Sequence, residues 1–191
     1  MTSGTKRLSA RERLLDAASE LFYREGVQTV GIDRIIEHAG VAKASLYNSF
    51  GSKEELVEAY LAEQHAGTMA RLDAAIAAAP DPRSAILAVF DAQAELVAEP
   101  GFRGCAFVSA SSEAAHGGLI EKATDDYREW LRSLMVRLVQ ETGSRKPQVL
   151  GRQLQLIYDG VSLSGRMDHD PSVTADARGV VEALLAAALN R

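Results

Sequence analysis

Residues 26–57 read GVQTVGIDRIIEHAGVAKASLYNSFGSKEELV, and this stretch decides the fold. It contains two short helical patterns, one from Gly31 to the Ala39-Gly40 pair and one over about Ala42 to Asn48. Glycine often follows the last turn of a helix, so glycine-bearing turns separate these patterns from each other and from a longer helix before them. Three helices joined in this way predict a helix-turn-helix.

Capping patterns mark further helix starts on either side of this stretch. Ser9-Ala-Arg-Glu12 and Ser52-Lys-Glu-Glu55 each place a hydroxyl at a helix start with a glutamate three residues later. Asp81 and Pro82 start another helix as a cap followed by proline at the first position. Apolar residues recur every three or four positions in the rest of the chain, and strand-like alternation is absent. We therefore predict an all-α protein of about nine helices.

The later helices are predicted from this periodicity. Phe102 to Ala115 reads as a short helix, and the segment from Leu119 to Leu138 is the clearest amphipathic helix. The last two helices are predicted over about residues 148–164 and 172–189, with a loop from Gly165 to Pro171 between them.

The composition excludes several classes of protein. The single cysteine, Cys105, excludes an intramolecular disulfide framework and a four-cysteine zinc site, and it suits a reducing cytoplasm. Residues 1–10 lack the apolar segment of a signal peptide, and no apolar run approaches the ~18 residues of a membrane helix. We expect a cytoplasmic protein that does not enter a membrane.

Charge is distributed unevenly along the chain. Residues 1–53 carry eight Lys or Arg and six Asp or Glu, a net charge of +2, whereas the remainder carries −7. This asymmetry suggests a nucleic-acid-facing head on an acidic body. Charges scattered over solvated helix faces are an equally simple explanation.

The stretch at residues 26–57 resembles the DNA-binding signature of the tetracycline-repressor (TetR) family of transcriptional regulators, and the resemblance extends over about the first 60 residues. The matching positions are Gly26, Ile32 to Ile35, Ala39-Gly40-Val41, Lys43, Leu46-Tyr47, Phe50 and Ser52-Lys53-Glu54. The resemblance implies a three-helix DNA-binding domain over residues 1–51. It also implies a six-helix body over residues 52–191 that binds a small-molecule inducer and forms a homodimer.

The resemblance makes the third helix the recognition helix for a double-stranded DNA operator. The candidate DNA contacts are Lys43, Ala44, Ser45, Tyr47, Asn48 and Lys53. Small side chains at the start of this helix suit a major groove about 12 Å wide. Tyr47 and Asn48 have groups that reach phosphates, and Lys53 lies in a first helical turn, where free N–H groups attract anions. Tyr47 as a core aromatic and Lys53 as a solvated lysine are the alternatives.

Four positions depart from the family pattern: Gly31, Ala42, Ala44 and Ser49. Ala42 stands where a hydroxyl residue usually caps the recognition helix, which removes one phosphate contact and about 1 kcal/mol of helix stability. Gly31 likewise replaces the Ser or Thr cap of the second helix. These departures suggest a modest DNA affinity and leave the operator sequence open.

A helical body of this size can enclose a ligand cavity, which the family uses for its inducer. The lining candidates are Phe90, Cys105, Phe107, Tyr127, Trp130 and Tyr158, with Met135 beside them. The same side chains fill ordinary hydrophobic cores, and this alternative stays open. If they converge, with Arg103 or a tyrosine hydroxyl as the polar group, the ligand is mostly apolar.

Other chemical patterns are weak. Cys105 next to Arg103 and Gly104 suggests a redox sensor, but no second cysteine is present to resolve an oxidised form. Asp168-His169-Asp170 fits a polar loop, with Asp170 capping the last helix, better than a metal site. We find no catalytic Ser/His/Asp or Cys/His set and no phosphate-binding glycine loop, so we expect no enzyme activity, metal or cofactor.

The last two helices are the expected dimer interface. The penultimate helix carries Leu154, Ile157 and Val161 together with the small residues Gly160, Ser162 and Ser164. Pairing across a two-fold axis would form a four-helix seam, whereas burial within one subunit is the alternative.

These expectations lead to a repressor that leaves a near-palindromic operator when its ligand binds. A ligand-dependent activator is the first alternative. A helical protein-binding adaptor and an enzyme with a vestigial DNA-binding head are the others.

Overall fold

The computed structural model describes residues 8–114 and 116–189. The helices within these ranges are α1 (Ala10–Glu25), α2 (Ile32–Ala39), α3 (Lys43–Phe50), α4 (Lys53–Ala77), α5 (Pro82–Ala98), α6 (Ala106–Glu113), α7 (Leu119–Glu141), α8 (Pro147–Asp168) and α9 (Val173–Leu189). The described residues form no strand, so the predicted all-α fold of nine helices is confirmed for them. None of their helices combines the length and apolar character needed to cross a bilayer.

Three of the predicted helix starts are formed by side-chain caps. Ser9 Oγ accepts the Glu12 N–H at 3.2 Å, and the Glu12 carboxylate accepts the Ser9 N–H at 2.7 Å, so the first capping box is confirmed. Asp81 caps α5 by accepting the Ser84 N–H at 2.9 Å. Only half of the second box forms: Ser52 Oγ accepts the Glu55 N–H, whereas the Ser52 N–H donates to the Phe50 carbonyl.

Contacts divide the chain into two compact units. The first unit is Met1–Gln64 with Ala106–Thr124, and the second is His65–Cys105 with Asp125–Arg191. The predicted boundary between a DNA-binding domain at residues 1–51 and a ligand-binding body at residues 52–191 is not the boundary between these units, and it stays a prediction.

The first unit is built on the mutual packing of α1, α2 and α3. Leu14, Ile35 and Leu46 contribute one fully buried side chain from each of these helices. The Phe22 ring lies 5.7 Å from the ring of Tyr60 in α4. Burial of this apolar surface fixes how the short helices are placed, because helices of eight residues have little stability alone.

The second unit is centred on α5, α8 and α9, which pack against one another around Val97, Val161 and Ala177. Gln93 is a buried polar side chain in this core, and its Nε2 donates to the Tyr158 carbonyl at 2.7 Å. The Nε2 group also donates to Ser162 Oγ at 2.9 Å, so it joins α5 to α8, whereas the buried Gln93 Oε1 has no hydrogen-bond partner among the described residues.

Two predicted helix boundaries are wrong. The short helix predicted from Phe102 begins at Ala106, because Gly104 has a φ of +87° that a right-handed helix does not allow. The penultimate helix runs to Asp168, through the loop predicted to start at Gly165. A Cβ at Gly165 would lie 2.8 Å from Val97 Cγ1, so close packing on α5 retains glycine inside the helix.

The predicted seam residues Leu154 and Val161 are not available to a second subunit. They are 0% and 3% exposed because they face the interior of their own protomer. The outward row of α8 is instead Leu156, Gly160, Leu163 and Met167, at spacings of four, three and four residues. This row shares Gly160 with the predicted seam but is rotated about a third of a turn around the helix from Leu154, Ile157 and Val161.

Two helical glycines should respond in opposite directions to the same substitution. A Cβ at Gly151 would lie 2.7 Å from Val136 Cγ2 and 3.0 Å from the Val136 backbone, whereas Gly67 in α4 has open space. We expect Gly151→Ala to destabilise the protein by about 1–3 kcal/mol, because α7 and α8 must separate. Gly67→Ala should stabilise it by up to about 1 kcal/mol through helix propensity. Urea unfolding of both variants measures the difference, and equal effects would contradict the close α7–α8 contact.

Candidate nucleic-acid interface

The turn between α2 and α3 is held from α1. Gly40 follows α2 in the left-handed conformation, with a φ of +61° and a ψ of +45°. Arg13 Nη1 donates to the carbonyls of Ala39 and Gly40 at 3.2 and 3.0 Å. These carbonyls lie at a helix end where no intrahelical donor is available, so the guanidinium satisfies them and fixes the angle at which α3 leaves the turn.

Helix α3 has one buried face and one solvent face. Leu46 and Phe50 are 0% and 5% exposed and anchor the helix to the unit. Arg11 of α1 lies over the Phe50 ring, with its guanidinium carbon 4.4 Å from the ring centroid. The predicted contacts Lys43, Ala44, Tyr47 and Asn48 all lie on the solvent face. Ser45 and the departure position Ser49 are half-buried at the sides of the helix.

Tyr47 and Ala42 bear on what the sequence predicts for α3. The Tyr47 side chain is 46% exposed, so it is not a core aromatic. Ala42 precedes α3 without any side-chain cap, as its methyl group requires. The Ser45 N–H is instead satisfied by the Ala42 carbonyl at 2.9 Å.

Lys43 forms an ion pair with Asp33 of α2. Its Nζ lies 2.8 Å from Asp33 Oδ1, and this hydrogen bond raises the pKa of Lys43 above its ordinary value. Both side chains are well exposed, so the pair contributes little to stability and is easily exchanged for a phosphate or a base. The lysine therefore stays charged and near the start of α3.

Lys53 is the first residue of α4 and faces the turn between α1 and α2. Its Nζ lies 3.5 Å from the Gln28 carbonyl. Burial lowers the pKa of Lys53, and the nearby Glu113 carboxylate counteracts this shift. The side chain is half-buried rather than freely solvated, which argues against the alternative of a solvated lysine.

Glu113 is a structural residue of this region that the sequence did not reveal. It is the last residue of α6, and its carboxylate accepts the Gln28 N–H at 2.8 Å across 85 positions of the chain. A Cβ on Gly26 would lie 2.7 Å from Glu113 Oε1, so the glycine leaves room for this carboxylate. Gly26 also has a φ of +92°, which excludes most other residues.

A cleft of about 420 Å³ adjoins Lys53 and the Gln28 turn. It is lined by Val27, Gln28, Lys53, Glu54, Val57, Ala114, His116, Gly117, Gly118 and Ile120. Glu54 also accepts the N–H of Leu119, the first residue of α7, at 3.2 Å. The lining is divided between polar and apolar groups, and nothing in it singles out one kind of ligand.

The structure brings five of the six predicted ligand-lining residues into the second unit. Phe90 and Tyr158 have ring centroids 6.2 Å apart, and those of Tyr127 and Trp130 are 5.7 Å apart. Burial raises the pKa of Tyr127 well above its usual value, and Tyr158 and Cys105 act on it in the same direction. The sixth candidate, Phe107, is buried in the first unit.

His65 belongs to this aromatic cluster, although its isolated position in the sequence gave no indication of it. Its ring centroid lies 4.9 Å from Trp130 and 5.4 Å from Tyr127. Burial lowers the pKa of His65 below its ordinary value, so the imidazole is neutral at pH 7. The neutral imidazole of His65 is thus a third planar ring that packs with Tyr127 and Trp130.

No group of metal-ligating side chains occurs in residues 8–114 or 116–189. In the Asp168-His169-Asp170 segment, His169 ends α8 in the left-handed conformation. The Asp170 carboxylate accepts the Ser172 N–H at 2.8 Å, which orders the turn just before α9. The segment is therefore structural.

Comparisons with known proteins agree with this geometry. Residues 14–60 match the sequence model of the family described as bacterial regulatory proteins, tetR family. A TetR-family transcriptional regulator from Streptomyces coelicolor has a crystal structure that matches with a TM-score of 0.90 and 34% identity. That match covers 94% of this chain and 96% of the Streptomyces chain.

Curated relatives match mainly in the DNA-binding region. An HTH-type transcriptional regulator from Mycobacterium tuberculosis is 40% identical over 65 residues, which is 31% of this chain and 32% of the relative. The HTH-type transcriptional activator FasR of Mycolicibacterium smegmatis is 37% identical over 82 residues, or 43% of this chain and 37% of FasR. The chain thus spans about a third of the length of the first curated relatives that it matches.

The fold, the family match and the relatives together define a DNA-binding transcriptional regulator with a helix-turn-helix. The chain belongs to the TetR family of bacterial regulatory proteins. Its relatives are regulators rather than enzymes, so the enzyme alternative is set aside.

The contact between Glu113 and Gln28 makes a direct prediction. Removing the carboxylate in Glu113→Ala leaves the Gln28 N–H without its acceptor and should cost about 1 kcal/mol. We expect faster amide exchange at Gln28, with Glu113→Gln intermediate because its amide oxygen still accepts. The matched control is Glu37→Ala, an exposed glutamate of α2. Unchanged Gln28 exchange in Glu113→Ala would show that this bond does not hold the turn.

Proposed function

We propose that the protein is a homodimeric, sequence-specific repressor that leaves a near-palindromic DNA operator when a small, mostly apolar molecule binds its body. The observation that carries the DNA-binding part is the two-sided packing of α3. Leu46 and Phe50 fix its inner face, while Lys43, Ala44, Tyr47 and Asn48 form one open surface. A helix presented in this way is shaped to enter the major groove.

The proposed contacts fall into two classes. Lys43 and Ala44 lie at the start of α3, which is the end of a recognition helix that approaches base edges. Tyr47, Asn48 and Lys53 reach phosphates and set the position of the head on the duplex. Ser45 contributes from the side of the helix, where it is half-buried.

The homodimer is supported by apolar surface on α8 and α9. Leu156, Leu163 and Met167 are 70%, 53% and 68% exposed on one row of α8. Val180 of the neighbouring α9 is 51% exposed. Exposed apolar side chains on neighbouring helices favour an interaction site, and a second copy of the chain would bury them isologously across a two-fold axis. Two heads then meet two half-sites of a near-palindrome.

The ligand is proposed to act by population shift. It binds near Phe90, Cys105, Tyr127, Trp130 and Tyr158 and favours a dimer whose heads have the wrong spacing for successive major grooves. By linkage, operator DNA must weaken ligand binding by the same factor.

An activator is the second candidate, favoured by one observation. The matching relative FasR is described as a transcriptional activator. The two candidates share the DNA interface and differ in whether DNA-bound protein lowers or raises transcription from a promoter carrying the selected site.

Selection of random duplex DNA by the purified protein tests the DNA-binding proposal. We expect a near-palindromic sequence, with log K falling against log[salt] at a slope of about −0.9 per phosphate contact. Lys53→Gln should make this slope less steep by about 0.9, because one phosphate contact is lost. Lys146→Gln, at the start of α8, is the matched control and should leave the slope unchanged. No enriched sequence, or enrichment that survives Lys43→Glu combined with Lys53→Glu, would contradict the proposal.

The dimer proposal is tested by placing charge on the outward row of α8. Leu156→Glu combined with Leu163→Glu should convert the dimer to monomer, because four carboxylates would be buried across the two-fold axis. Val108→Glu, at a residue of α6 that is 46% exposed, is the control and should remain dimeric. Light scattering after size-exclusion chromatography gives the mass. A wild-type monomer, or a double variant that stays dimeric, would refute this interface.

A further inference from the structure

One cation in the second unit lacks an anionic partner. The charge of Arg71 in α4 and a hydrogen bond from its guanidinium counteract the raised pKa of the buried Tyr158 hydroxyl. Its Nε is shielded from solvent and has no hydrogen-bond acceptor. Among the residues that the structure describes, no carboxylate lies within ion-pair distance of Arg71. A half-buried guanidinium in this state lacks the pairing that usually accompanies burial of a charge.

Asp159, the carboxylate that acts on both tyrosines, already has a cationic partner. Asp159 contributes to the electrostatics of both Tyr127 and Tyr158, but its Oδ2 is 3.0 Å from Arg128 Nη2. Asp126 acts on His65 of the same ring cluster and is likewise not within ion-pair distance of Arg71. The guanidinium of Arg71 is therefore left without one negative charge. One missing charge matches a monoanion better than a phosphate dianion.

The walls around Arg71 are aromatic. The charge of Arg71 counteracts the raised pKa of both Tyr127 and Tyr158. Tyr127 in turn belongs to the ring cluster with His65 and Trp130. Flat apolar walls beside one cation favour a ligand with an aromatic ring and one anionic group.

We propose that Arg71 and the Tyr158 hydroxyl bind the carboxylate of an aromatic carboxylic acid, with its ring against Tyr127 and Trp130. A carboxylate is planar and accepts two parallel N–H bonds from a guanidinium, including the one from the unsatisfied Nε. This inference rests on the proposed function and narrows its mostly apolar ligand to one chemical class. It assigns a ligand-binding role to Arg71 that sequence reasoning missed.

The test uses the full-length protein without DNA. Trp130 is the sole tryptophan of the chain, and it lies in the proposed site, so its fluorescence reports ligand binding directly. The probes are phenylacetate, cinnamate and 2-naphthoate, their neutral amides, and hexanoate as an anion without a ring. We expect at least one aromatic carboxylate to bind at least about tenfold more tightly than its amide and than hexanoate. Calorimetry confirms each affinity.

Variants assign the charge recognition to one side chain. Arg71→Met should weaken the aromatic carboxylate at least about tenfold while leaving the amide little changed, and Arg71→Lys should be intermediate. Arg137→Met is the matched control, because Arg137 lies on α7 at an exposed ion pair with Glu141. The comparison of acid with amide on the wild-type protein needs no variant and holds even if Arg71→Met fails to fold.

The outcomes separate this inference from the proposed function. An aromatic carboxylate that binds through Arg71 without altering DNA affinity supports the site and contradicts ligand-induced release. Selected DNA bound normally, with no probe bound or with amides bound as tightly as acids, overturns the site and leaves the DNA-binding proposal standing. Arg71→Met with unchanged affinity for the carboxylate also overturns it.

Discussion

The rest of the interface depends on how the Arg13 guanidinium and Gly40 together fix the turn before α3. Left-handed Gly40 ends α2, and Arg13 satisfies the carbonyls that the helix end leaves open. The direction of α3 follows from this turn and from burial of Leu46 and Phe50. One set of contacts thus stabilises the unit and exposes the four outward positions, so the stability of the unit and the proposed DNA contacts have the same structural origin.

Lys43 of α3 and Lys53 of α4 have only weak local partners. Lys43 is held by Asp33 at the surface, where solvent makes the pair weak. Lys53 lies between the Gln28 carbonyl and the charge of Glu113. Both lysines therefore have local partners that the proposed phosphate contacts would replace, with release of counterions.

Much of the fold could be predicted from the sequence because caps and turns are local. Ser9, Asp81 and Gly26 mark helix ends through hydrogen bonds and dihedral angles that involve only their neighbours. The errors at Gly104 and Gly165 have one cause: a glycine can end a helix or permit close packing, and only the partner decides which. The exposed row of α8 was misplaced because both sides of that helix are apolar.

The candidate sites were predictable to the extent that they lie on single helices. The outward face of α3 follows from its own periodicity, so its exposed positions could be predicted, and their DNA contacts stay a prediction. Glu113, His65 and Arg71 were missed because their roles depend on side chains from distant parts of the chain. Such contacts leave no spacing pattern in the sequence.

The central claim is that α3 reads DNA in the major groove. Dimethyl sulfate footprinting on the selected duplex tests it most directly, because the reagent methylates guanine N7 in the major groove and adenine N3 in the minor groove. The account predicts protection of guanine N7 in two symmetric half-sites whose centres lie about one helical turn or a multiple of it apart. Bound protein that leaves every guanine N7 reactive, or protects only adenine N3, would contradict it.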